Sequence, residues 1–148
     1  MNDSTFTIRG AVAMDGTGSK STRSDLIVKD GVITKFGSIL KSEEEGKIVD
    51  GSGLTVCPGF IDLHSHSDLA VITDKEHLSK VTQGVTTEVV GQDGLSYVPS
   101  SEETLSILRE QLYGWNGEPA GLTWNFRSVA DYLSIVDKGA PVNVAYLI

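Results

Sequence analysis

His64 and His66 stand two residues apart, at the C-terminal end of an apolar stretch that reads as a strand. Side chains alternate along a strand, so both imidazoles point to one side. Neutral imidazole is a good donor to zinc and similar ions, and two on one face make half of a site. Strand C-termini are also where barrel enzymes gather catalytic groups. A His-x-His spacing recurs by chance, and an exposed or hydrogen-bonded pair at a strand end accounts for it equally well. Asp62 shares the parity of the histidines. It is either a partner that orients a ligand imidazole or a satisfied interior polar group. Asp68, in the loop just after the pair, either lines the pocket or caps the next element.

These groups need elements to hold them. Residues 54–63 form a dense apolar run with a Pro-Gly interruption, as expected of a buried strand. A short helix is expected over 76–82, ending before Gly84, with His77 on its surface. Val85 to Val90 is β-branched and strand-like, stopped by Gly91. Ser100 with Glu103 reads as a capping box for a helix with Leu105, Leu108 and Leu112 on one face and Gly114 as C-cap. Ser128 with Asp131 opens a second helix, with Val129, Tyr132, Leu133 and Val136 sharing a face and Gly139 closing it. Trp115 to Asn125 reads as a loop, and residues 142–148 as a final apolar strand in which the chain stops.

The first fifty residues carry a different pattern. Short β-type runs (Phe6 and Ile8, Leu26 to Val28, Val32 to Phe36) are broken by turn residues, and Asp30-Gly31 is a hairpin signal. Lys41 to Lys47 is a charged, solvated connection. The expected class is α/β: a small β-sandwich-type domain over 1–55, then strand–helix alternation over 56–148, the rhythm of βα units on a parallel sheet. A full (β/α)8 barrel takes roughly 250 residues, so at most two units and the start of a third fit.

Composition narrows the function classes. The 148 residues are 39% hydrophobic and 22% charged, which suits a folded domain. A formal net charge of -8 argues against a nucleic-acid surface and gives no attraction to anionic lipid. Cys57 is the single cysteine, so no internal disulfide is possible; it reads as a small buried hydrophobe. Without a signal-peptide start or a run of about 20 apolar residues, a cytoplasmic protein with no membrane partner is expected. Gly16 to Ser21 fails the phosphate-loop spacing, and the Asn2-Asp3-Ser4 sequon sits at an unsecreted terminus.

The run Pro58-Gly59-Phe60-Ile61-Asp62-Leu63-His64-Ser65-His66 resembles the first barrel strand of the amidohydrolase superfamily. There the two histidines bind the catalytic metal, and a small β domain precedes the barrel. Residues 80–96, Lys80 to Ser96, are similar to the second-strand region of the D-aminoacylase branch, the N-acyl-D-amino-acid deacylases, and the likeness runs to the last residue. In many relatives the following loop reads Gly-Asn-Cys-Gly and its cysteine is a metal ligand. Here it reads Gly91-Gln92-Asp93-Gly94, so the resemblance puts Asp93 where that thiolate would be. A carboxylate suits hard or borderline ions; a plain Asp-Gly turn is the other reading.

The resemblance implies a divalent metal, zinc first, held by His64, His66 and Asp93, and hydrolysis of a small N-acyl amino acid amide by metal-activated water. It also implies a general base and substrate-gripping groups beyond residue 148, so the chain alone is expected to be an inactive fragment. Trp115 and Trp124 border an acyl pocket or simply pack. A cyclic-amide hydrolase of the dihydroorotase or hydantoinase type shares the His-x-His strand and is the second enzymatic reading; a non-catalytic fragment is the third. Open strand edges and apolar faces would favour self-association, including a homo-oligomer.

Overall fold

Asp30 and Gly31 both take positive φ, 50° and 78°, and turn β2 (Thr22–Lys29) back onto β3 (Val32–Gly37). Turns with positive φ at both central residues match the twist of the strands they join, and Asp and Gly adopt them at least cost. The computed structural model describes residues 4–148, so the Asn2-Asp3-Ser4 sequon lies largely outside the described residues. The chain divides into two compact units, one running to Pro58 and one from Gly59 to Ile148.

In the first unit β1 (Thr5–Ala13) is central. β2 lies antiparallel to it, while β4 (Lys47–Asp50) and β5 (Thr55–Val56) run parallel to it. The expected sandwich is corrected here: among the described residues all five strands join one sheet, because the chain returns to pair with β1 rather than opening a second layer. The register of β1 against β2 slips between Ile8 and Ala11, where Gly10 takes a φ of 68°. Asp25 spans this bulge. Its carboxylate accepts from the amides of Gly10 (2.8 Å) and Ile39 (3.3 Å) and sits 3.1 Å from the Arg9 guanidinium. The Gly10 amide, helped by Ile39 and Arg9, outweighs burial and holds the Asp25 carboxyl below the usual range.

The second unit runs β6 (Phe60–Asp62), α1 (Ala70–Thr73), α2 (Leu78–Val81), β7 (Val85–Val90), α3 (Glu102–Asn116), α4 (Val129–Val136) and β8 (Asn143–Tyr146). Its three strands are parallel in the order β6-β7-β8. Leu105 and Leu112 of α3, Tyr132 of α4, and Leu69, Tyr97, Val98, Phe126 and Val142 form the core. Phe60, Ile61 and Leu63 are exposed.

Several expectations shift. The apolar run 54–63 is two strands, not one: Thr55 and Val56 pair with β1, whereas Phe60 to Asp62 pair with β7. Pro58 has no N–H with which to continue a ladder, and Cys57 in this link is exposed rather than buried. The helix expected over 76–82 starts only at Leu78, because His77 takes a left-handed conformation with φ 44°. The cap of α3 is Ser101, whose hydroxyl accepts from the Thr104 amide at 3.1 Å; the Ser100 amide instead donates to the Arg127 carbonyl. Gly114 and Trp115 lie inside α3, which closes at Gly117 with φ 61°. The Ser128–Asp131 capping box of α4 forms as read. Among the described residues no helix is long and apolar enough to cross a membrane.

Candidate metal centre

β6 ends at Asp62 because that side chain turns the chain: its Oδ1 accepts from the His64 amide at 3.1 Å. The strand parity that would align Asp62 with the imidazoles is lost at this turn. The Asp62 carboxylate meets the Lys80 ammonium at 2.5 Å rather than a histidine ring. That ammonium first, then the His64 amide, holds the Asp62 carboxyl below its ordinary value.

Past the turn the Ser65 amide donates to the Val89 carbonyl at 3.1 Å, which keeps this segment beside β7. The buried Ser65 side chain points into the unit and reaches Glu88. His64 and His66 flank it with side chains 60% and 29% exposed and ring centroids 5.4 Å apart.

Asp93 arrives from the other side. β7 stops at Val90, and Gly91 follows with a φ of 78° that favours glycine. The Gln92 amide nitrogen donates to the carbonyls of Leu63 (2.9 Å) and Val89 (3.0 Å), clamping the ends of β6 and β7 together. Asp93 takes φ 59°, a left-handed conformation that Asp tolerates better than most residues. Its Oδ2 then lies 3.2 Å from Nε2 of His64 and 3.3 Å from Nε2 of His66. One donor atom from each of these three residues falls within 4.8 Å of the others.

This geometry can be tested against an ion. Two donors bound tetrahedrally to zinc at roughly 2.0–2.1 Å lie about 3.3 Å apart, which matches both spacings to Asp93. Two imidazoles and a carboxylate are a zinc-type donor set with room for a further ligand. The residues present therefore fit a divalent metal.

Asp68 does not reach the imidazoles. It is buried, its Oδ1 accepts from the Gly91 amide at 3.0 Å, and its backbone carbonyl accepts from the Tyr132 hydroxyl at 2.7 Å. Burial pushes its carboxyl up to about 6 against the pull of nearby amides. Trp115 lies with its ring centroid 4.8 Å from that of His66 and is 65% exposed, so it borders the centre. Trp124 packs with Tyr97 and Phe126, under the Arg109 guanidinium.

His77 is the clearest departure from expectation. It is 2% exposed, not on the surface, and its Nε2 lies 2.5 Å from Oε2 of Glu88. Glu88 is fully buried and also meets the Lys80 ammonium at 3.1 Å. Burial would raise the Glu88 carboxyl, but hydrogen bonds from Ser65, His77 and Lys80 together bring it below its ordinary value. Sequence reasoning missed this cluster. The available signal was a lone acid in the β-branched run Thr86-Thr87-Glu88-Val89-Val90, where an unpaired charge is costly.

Residues 47–148 match the amidohydrolase family. The chain is 34% identical over 144 residues to the N-acyl-D-aspartate deacylase of Alcaligenes xylosoxydans xylosoxydans, covering 97% of this chain and 28% of that protein. Among solved structures, the N-acyl-D-glutamate deacylase of Bordetella bronchiseptica, complexed with zinc and a phosphonate mimic of the tetrahedral intermediate, superimposes with a TM-score of 0.77. It is 36% identical over 97% of this chain and 29% of its own. A D-aminoacylase crystal structure gives 0.76 at 28% identity, over 96% and 29%. The chain thus spans under a third of the length of these relatives.

Proposed function

Because this chain belongs to the amidohydrolase family, we propose that its protein is a zinc-dependent hydrolase that deacylates N-acyl-D-amino acids, with His64, His66 and Asp93 as metal donors. The observation that carries this reading is the placement of one Asp93 oxygen 3.2 and 3.3 Å from two imidazole nitrogens, in a chain whose relatives include such deacylases. On this reading β6, β7 and β8 are the first three strands of a (β/α)8 barrel, whose remaining elements would cover the exposed Phe60, Ile61 and Leu63 on the two faces of β6.

Each residue has a task. The two imidazoles supply neutral nitrogen donors, fixed by the Asp62 turn and by Ser65. Asp93 adds a negative donor, steered by its left-handed backbone and by the Gln92 clamp. Bound there, zinc supplies Lewis acidity toward the scissile carbonyl and a strong nucleophile near neutral pH. Asp62, Asp68 and Glu88 are each engaged elsewhere, so the reading takes its general base from a later strand of the barrel. Trp115 forms one wall beside His66 and would meet the acyl group.

The test is hydrolysis of N-acetyl-D-amino acids, acidic side chains included, by the zinc-loaded intact protein. Turnover of the D but not the L enantiomers, abolished by His66→Ala, is the expected result. Cleavage of dihydroorotate or hydantoins in place of the acyl amino acids would move the assignment to cyclic amides.

A further inference from the structure

Glu88 is fully shielded from water, and an ion there is tolerable only when its oxygens are engaged. Both are. Oε2 takes the His77 ring nitrogen, while Oε1 takes the Lys80 ammonium and, at 2.7 Å, the Ser65 hydroxyl. A carboxylate can accept from all three donors at once, whereas an amide cannot. His77 reaches Glu88 from a left-handed backbone conformation, φ 44°, which costs energy in any residue with a Cβ. Lys80 is shared with Asp62, whose other oxygen holds the His64 amide.

Ser65 is the link to the metal centre. It stands between His64 and His66, and its side chain is committed to the interior by Glu88. Its backbone joins the two histidines, so a shift of either one's Cα is felt at the bond between Ser65 and Glu88. Resting on the zinc reading above, we propose that Glu88 is a positioning residue: acting through the Ser65 hydroxyl, it sets the separation and aim of His64 and His66 for the metal.

The experiment uses the intact protein and the variants Ser65→Ala, Glu88→Gln and the double variant. Zinc affinity is read by chelator competition, the visible absorption of the cobalt-substituted protein reports ligand geometry, and melting of the metal-free protein reports the fold. Loss of such outer partners weakens metal binding roughly 10–100-fold. Each single variant is expected to fall in that range with an altered cobalt spectrum, Ser65→Ala without loss of the metal-free fold. The double variant should bind no more weakly than Glu88→Gln, since both act along one path. Wild-type zinc affinity and an unchanged cobalt spectrum in Ser65→Ala would overturn the proposal, as would losses that simply add. Should Glu88→Gln fail to fold, Ser65→Ala decides alone. A wild-type protein that binds no zinc would overturn the metal reading itself, and this proposal with it.

Discussion

Oδ1 of Asp68 accepts a hydrogen bond from the Gly91 amide at 3.0 Å, tying the loop after the histidines to the loop that carries Asp93. The bond is buried, so losing its acceptor leaves an orphan donor. Asp68→Ala should cost about 1–3 kcal/mol and also weaken zinc binding. Asp68→Asn keeps an oxygen for Gly91 and should restore most of both. Urea denaturation and zinc titration of the two variants would check this; equal losses in both would show that the oxygen is not what matters.

Gly91 is required for two reasons. Its φ is 78°, and a Cβ there would sit 2.5 Å from the Leu147 carbonyl oxygen. Gly91→Ala must therefore strain the backbone and push apart the ends of β7 and β8, costing about 2 kcal/mol or more. A thermal melt within a degree of wild type would contradict the packing described.

The first unit should show acid sensitivity centred on Asp25. Its carboxyl is held below the usual range in the fold, so its stabilisation is complete above the unfolded value of about 3.9 and is lost as pH falls through the lower folded value. Asp25→Asn should be less stable than wild type at pH 7, where its amide meets the Ile39 N–H and Arg9. The gap should narrow as the pH drops below 4. A gap that is constant from pH 7 to pH 3 would mean Asp25 is not a linked group.

As a donor on the proposed reading, Asp93 would also set metal preference. A carboxylate favours borderline and harder ions, while a thiolate favours soft ones. Asp93→Cys should raise affinity for cadmium relative to manganese by at least tenfold, read by competition titration. An unchanged ratio would remove Asp93 from the donor set.

Local chemistry explains what was legible in the sequence. The Asp30-Gly31 turn, the Val85–Val90 strand and the Ser128–Asp131 cap rest on neighbours in the chain, and all three appear where the residue types put them. The cap of α3 could not be fixed locally: Ser100 and Ser101 are equally good candidates, and the Ser100 amide is taken by Arg127, far along the chain. The proposed metal donors were suggested by residue type and resemblance, and the left-handed Asp93 brings its carboxylate to the histidine pair. Glu88, His77 and Lys80 were invisible because they meet only when α2 folds against β7. His77 in particular lies outside the helical pattern that would have left it on the surface.

The most direct test of the central claim is zinc-edge anomalous diffraction from crystals of the zinc-loaded protein. A single strong peak within bonding distance, roughly 2.0–2.2 Å, of Nε2 of His64, Nε2 of His66 and an Asp93 oxygen is the predicted result. Zinc bound elsewhere in the protein, with these three side chains making contacts only to one another or to solvent, would contradict it.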